Sequence, residues 1–359
     1  MLTHRENWLR AVEFRSPEWI PCWVGFAPLI WNTHRVALEE VVLRHARLFP
    51  GFQKGTVDFG KVGPVYRPGE YFTDNWGCVW YNTIGGLEGQ VVEHPLADWS
   101  ALKSYRPPDP RTQSEGGTRD WGAIRSDVAA ATTAGRLVRG DGERLFGRLY
   151  FLRGFENLML DIATDDPHLD LLIEMLLDYE LRLVRMWLAL GVDVVTFHTD
   201  IGGQTSLMIS PQKFRRHIKP MFAAIFGECR GAGAHVCLSP DGRMLDIVDD
   251  LIETGVSVHD PQYRANTLHG IVAHYKGRLC ANVVLDSQMT AFCRPDEIRE
   301  QVREVVERMG SPAGGLMVVG SVWDTNTPLD NIDALCGAIE DYCRPGFPPA
   351  QFPEAPCVG

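Results

Sequence analysis

Residues 191–200 read Gly-Val-Asp-Val-Val-Thr-Phe-His-Thr-Asp, a β-branched run at 192–197 that starts after a glycine and runs into histidine and aspartate. A short buried strand with polar residues at its C-terminal end is the pattern that decides the fold. Upstream, Asp166-Pro167 opens a long helical pattern that ends at Gly191, with Leu169, Leu172, Ile173, Leu176, Leu183 and Trp187 on one side. Downstream, Ser210-Pro211 opens the next, with Phe214, Ile218, Phe222 and Ile225 inward and Gly231 after it. Further runs follow at 234–238, 256–258, 279–285 and 316–319, separated by helical stretches 241–254 and 296–309, each closed by a glycine. Ser or Asp as N-cap, Pro in the first turn and Gly past the end are ordinary helix punctuation. Strand and helix alternating at this spacing predict parallel strands joined by crossovers. No G-x-G-x-x-G follows any of these strands and no GK[ST] loop occurs, so a dinucleotide or P-loop sheet is disfavoured. The expected architecture is α/β: one (β/α)8 TIM-like barrel over residues 1–359, with an N-terminal insertion. Residues 18–28 read as a first strand and loop, 73–95 as a glycine-turned β-hairpin, and 107–119 as an exposed loop.

The 359 residues are 45% hydrophobic and 23% charged, the balance of a globular chain long enough for one large core. A formal net charge of -11 argues against nucleic acid and anionic membranes as partners. No apolar run is long enough to cross a bilayer, and the opening MLTHRENWLRAVEFRS has no apolar signal core. The nine cysteines, Cys22, Cys78, Cys229, Cys237, Cys280, Cys293, Cys336, Cys343 and Cys357, form no C-x-x-C pair. They read as reduced thiols of a cytoplasmic protein.

In a barrel, chemistry gathers where strands end. His198, Asp200 and Gln204 follow the first run; Ser239 and Asp241 the second; His259, Asp260 and Gln262 the third; Asp286 and Gln288 the fourth; Ser321 and Asp324 the fifth. Five consecutive strands thus deliver a carboxylate to one rim. Helix capping accounts for some of these, Asp241 and Asp286 above all. Converging carboxylates otherwise need a raised pKa, a cation or a metal. His198 and His259 beside them are candidate bases, although histidines at strand ends are also plain hydrogen-bond donors. Upstream, Arg148 and Arg153 could anchor an acidic substrate bidentately, or belong to a salt-bridged surface.

Several segments of the chain resemble the uroporphyrinogen decarboxylase superfamily. HRENWLRAVEFRSPEWIP at the start, the glycine-led strand with Asp200-Ile201-Gly202-Gly203-Gln204, SPQKFRRHIKPMF, DLIETGVSVHDPQ and the closing TPLDNIDAL all fall in the family's order. The resemblance implies a single-domain barrel with its site in the C-terminal cleft. It implies one of two chemistries: decarboxylation of porphyrinogen acetates, or zinc-dependent methyl transfer between a corrinoid protein and a small acceptor, a branch also linked to demethylation of methoxylated compounds. The decarboxylases carry an arginine-bearing R-Q-A-G-R-Y loop; here the corresponding CWVGFAPLIWN has no arginine. The zinc enzymes carry H-x-C-G and a late cysteine; here those positions fall on Ser239, Asp241 and Ser321. His235-Val236-Cys237 lies four residues too early and reads as a core pair inside its strand.

The resulting expectation is a superfamily enzyme acting on a small methylated or carboxylated molecule, methyl transfer being favoured over decarboxylation. Asp200, His198, His259 and Asp241 are the expected catalytic set. Gln204, Arg148, Arg153, Asp260, Gln262, Asp286, Gln288, Ser321 and Asp324 are expected to bind substrate. No tightly bound cofactor or zinc is expected; a corrinoid would ride on a partner protein, and a homodimer is compatible with the family. A tetrapyrrole decarboxylase and a non-catalytic tetrapyrrole- or corrinoid-binding barrel are the alternatives.

Overall fold

The computed structural model describes residues 2–60 and 63–344; Cys357 lies outside them. The chain divides into two compact units. One takes the described residues of Met1–Glu70, Asn82–Gly89 and Gln262–Gly359, the other Tyr71–Tyr81 and Gln90–Pro261. In chain order the strands are β1 (Cys22–Phe26), β2 (Tyr71–Thr73), β3 (Val79–Tyr81), β4 (Gln90–Glu93), β5 (Arg139–Asp141), β6 (Val194–Thr199), β7 (His235–Pro240), β8 (Val258–His259), β9 (Cys280–Val284) and β10 (Leu316–Val322).

In the first unit β1, β10 and β9 pair in parallel, in that order. The register sets Trp23 beside Val319 and Gly25 beside Ser321. Gly320 backs directly on Ile339 and Leu335 of the helix Leu329–Cys343, so one face of β10 is covered by that helix.

In the second unit β5, β6, β7 and β8 pair in parallel. The helix Pro167–Leu188 precedes β6. Asp166 caps it by accepting from the His168 N–H, Pro167 sits at its start, and Leu169, Leu172, Ile173, Leu176, Leu183 and Trp187 are buried as their spacing requires. Phe197 of β6 packs on Phe226 of the helix Lys219–Gly231, with ring centroids 5.0 Å apart. This unit also holds the insertion. It is a three-stranded antiparallel sheet, β2-β3-β4, rather than a simple hairpin. Its first turn is built on Asp74, whose carboxylate accepts from the Trp76 and Cys78 N–H groups and, at 2.9 Å, from the Trp80 indole.

Seven parallel strands are thus present among the described residues, where the sequence predicts eight. The strands also end later than their apolar runs suggest. The run at 192–197 continues to Thr199 and that at 234–238 to Pro240, which draws His198 and Ser239 into the sheet itself. Among the described residues no helix is long and apolar enough to cross a membrane, and eight free cysteines are found.

Candidate active site

Parallel register and pleat decide which side chains share a face. Asp141 pairs with Thr196, Thr196 with Cys237, and His198 with Ser239. Asp141, His198, Ser239 and Cys237 therefore occupy the face of the second unit's sheet opposite Phe197 and its helix. Asp200 and Asp241 continue from the ends of β6 and β7, and Asp260 follows β8, where it accepts a 3.9 Å contact from the Cys237 thiol. The structure brings together four expected residues here, His198, Asp200, Asp241 and Asp260, and adds Asp141.

The loops after β6 and β7 are locked together by backbone contacts. The Arg243 N–H donates to the Gly203 carbonyl at 2.8 Å. Gly242 has φ of 83°, and a Cβ there would stand 2.2 Å from the Gly202 carbonyl oxygen. Both the left-handed backbone and the contact demand glycine. Gly242→Ala is expected to cost about 2 kcal/mol and to displace Asp241; a thermal melt matching the parent protein would contradict this.

Two further residues reach this face from the helix Leu145–Arg153. Tyr150 donates its hydroxyl to Asp200 Oδ2 at 3.5 Å, and burial, then the Asp200 charge, raises its pKa, so it is a neutral donor. Arg144, at the head of that helix, pairs with Glu115 at 3.1 Å and lies over the Phe151 ring. His198 is open to solvent at its edge. Surrounding protein and then the Arg144 charge lower its pKa, while Asp200, Asp141 and Glu143 oppose them. His198 is therefore a neutral base at neutral pH.

The remaining predicted residues sit elsewhere. His259 pairs with Leu238, which pairs with Phe197, so it lies on the helix-covered face. It is fully buried, and burial pushes its pKa down to about 3; a proton does not reside there near neutrality, and the role of base at the rim does not suit it. Arg148 is fully buried. It bonds Glu143 at 3.0 and 3.1 Å, Asp74 at 3.3 Å and also Glu115, with its guanidinium 4.7 Å from the Trp76 ring. Arg153 bonds Asp161 at 2.7 Å and the Leu96 carbonyl at 3.0 Å, reaches the Ala97 carbonyl, and stacks over Trp99. Both arginines serve the interior and are unavailable as substrate anchors. Gln204 is exposed in the loop after β6.

In the first unit, Asp286 is a cap: it accepts from the Gln288 and Met289 N–H groups at 3.1 Å and pairs with Arg264 at 2.9 Å. Gln288 is exposed on that short helix. Gln262 precedes the helix Tyr263–Asn266 and bridges to Val284. Ser321 lies within β10 on the face away from the Leu329–Cys343 helix. Asp324 is folded back on Asn326, accepting from its N–H at 2.9 Å.

The donors at the zinc positions do not suit that ion. Ser239 and Ser321 offer neutral hydroxyls, poor substitutes for thiolate or imidazole. No group of three His, Cys, Asp or Glu side chains placed to share a metal ion occurs among the described residues. His235 is held at the start of β7 by Arg230, 3.0 Å from its Nδ1.

The uroporphyrinogen decarboxylase family profile matches residues 128–342. The chain belongs to this family. Uroporphyrinogen decarboxylase from Thermus thermophilus is 23% identical over 269 residues, 71% of this chain and 72% of the relative. That of Actinobacillus succinogenes is 18% identical over 270 residues, 73% of this chain and 74% of its own. Among solved structures, a methyltransferase from Methanosarcina mazei superposes with a TM-score of 0.61 at 16% identity, covering 95% of this chain and 99% of its own. The fold is accordingly the α/β TIM-like barrel class of this family, and the chain is an enzyme of its superfamily. Within that family, the missed residues Arg144 and Tyr150 lie inside the matched region. Their signal in sequence was the strand Arg139–Asp141 just before them, which three residues made too short to see.

Proposed function

We propose that this family member moves a methyl group from a small methylated substrate to a corrinoid carried by a partner protein. One observation carries the reading: the open face of the second unit carries four carboxylates, Asp141, Asp200, Asp241 and Asp260, against one arginine, Arg144, which is itself paired with Glu115, while Arg148 and Arg153 are consumed by internal carboxylates and carbonyls. A porphyrinogen bearing several acetates needs fixed cations, and residues 16–34 contain no lysine or arginine. A neutral or cationic methylated substrate suits an acidic face. The fold shared with the methanogen methyltransferase supports the same choice.

The residues supply acid and base for such a step. As methyl leaves a neutral oxygen, that atom gains negative charge and needs a proton, whereas a cationic ammonium leaves as the neutral amine. Tyr150, kept neutral by burial and Asp200, can hold that proton; Asp200 orients the hydroxyl, and neutral His198 can return it from solvent. The corrinoid would accept the methyl group.

The test offers methoxyarenes, methylamines and methanol to the purified protein with a reduced corrinoid, following methylcorrinoid by absorbance. Uroporphyrinogen is assayed in parallel by chromatography. Methylcorrinoid without coproporphyrinogen is expected. Coproporphyrinogen formed at an enzymatic rate, with no methylcorrinoid from any donor, would establish the decarboxylase reading instead.

A further inference from the structure

The helix Pro167–Leu188 carries a second stripe besides the one it gives to the core. His168, Leu171, Met175, Asp178 and Arg182 recur every three or four residues, so they share one side of the helix. Leu171 on this side is 52% exposed although large and apolar, and Met175 is half-buried. The segment 99–107 of the same unit faces this stripe across a groove of about 580 Å³, the size of a small-molecule site. Leu102 and Tyr105 supply apolar surface to the opposite wall. Tyr105 is fixed by its hydroxyl, which donates to the Trp76 carbonyl at 2.7 Å. Trp99, beside His168, is fixed by stacking on that ring at 5.5 Å and by the Arg153 guanidinium, 4.1 Å from its own ring. Walls already held in place cost little further ordering when a ligand arrives.

The groove is cationic on an acidic chain. Lys103, Arg106 and Arg182 line it against one carboxylate, Asp178, whereas the whole chain has a formal net charge of -11. Asp178 is taken by Arg182 at 3.1 Å. Lys103 has no acidic partner among the described residues. Arg106 donates to the Lys103 and Tyr105 carbonyls at 3.1 and 2.7 Å, which are neutral acceptors and leave its charge uncompensated. We propose that this groove is a binding site for an aromatic carboxylate. The ring lies against Tyr105, Leu171 and Met175, where its apolar faces leave water. The carboxylate accepts from the Lys103 ammonium and from the Arg106 N–H groups that the carbonyls do not use. Asp141, Asp200, Asp241 and Asp260 do not line the groove, so it is a site apart from the acidic face. Its ligand has the opposite charge from the one that face suits.

The test is equilibrium dialysis of the full-length protein against naphthoate, with naphthamide, naphthylmethylamine and hexaglutamate alongside. Saturable binding of one naphthoate per chain is expected, with a dissociation constant of about 1 mM or below. The amide has the same ring without the charge and should bind about tenfold more weakly, and the amine more weakly still. Replacing Lys103→Ala together with Arg106→Ala should weaken naphthoate about tenfold and leave the amide as it was. Both side chains are exposed, so the fold survives their removal. Arg303→Ala, on the helix Pro295–Met309, removes a cation elsewhere and should change nothing. Absence of saturable naphthoate binding, equal affinity for acid and amide, or naphthoate binding that survives the double replacement would each overturn the proposal. Capture of hexaglutamate in place of naphthoate would overturn it too, and would make the groove a docking surface for acidic peptide.

Discussion

Arg148→Met unfolds this protein more readily than any other single change considered above. The guanidinium is fully buried and holds three carboxylates, Asp74, Glu115 and Glu143. Removing the cation leaves those charges without compensation in the interior, a loss of about 3–5 kcal/mol. Nearby Glu180 worsens the balance. It is fully buried, with its pKa pushed up to about 8 by burial and then by Glu143, and it offers no positive charge in exchange. For a chain of this size the melting temperature should fall by about 5 °C. Arg148→Lys should recover little, since a point charge cannot replace a planar fork reaching three partners. Thermal denaturation followed by circular dichroism checks this, and a melting temperature within a degree or two of the parent for Arg148→Met would refute it. The insertion should loosen first, because Asp74 holds its turn through the Trp76, Cys78 and Trp80 N–H groups.

Asp200→Asn has the opposite profile: turnover is lost and the fold is kept. Asp200 lies just past the end of β6 and is half-buried. Among the hydrogen bonds described here, its link is to the Tyr150 hydroxyl, a 3.5 Å contact of the loose kind that tightens when substrate arrives. Asparagine preserves size but removes the charge that orients Tyr150 and opposes the lowering of the His198 pKa. In methylcorrinoid formation, kcat should fall by about 10²–10⁴, the usual contribution of acid–base assistance. The melting temperature should stay put. Tyr150→Phe should lose a comparable factor, and the double variant should lose little more, because the two act as one unit. Parent-like turnover in Asp200→Asn would remove this residue from the mechanism.

The order of strands and helices was legible in the sequence because each buried parallel strand carries an apolar run and each helix its own punctuation. Phe197 and Val195 could be nothing but core, and Asp286 caps a helix where an aspartate before a short turn should. Side-chain direction was not legible to the same degree. β8 is two residues long, so alternation supplies no phase, and only its pairing with Leu238 turns His259 toward the helices. The helix Leu145–Arg153 is buried at seven of its nine positions. A helix apolar nearly all round has no hydrophobic stripe from which to read which arginine faces outward. Tertiary packing made that choice: it brought Asp74 and Glu115 to Arg148 and the Leu96 and Ala97 carbonyls to Arg153 from distant segments, and left Arg144 and Tyr150 on the open face. Local sequence thus determined the elements and their punctuation, because hydrogen bonding and burial within a segment are local. The composition of the site was decided by register between strands and by charges meeting across the fold, which no single segment contains.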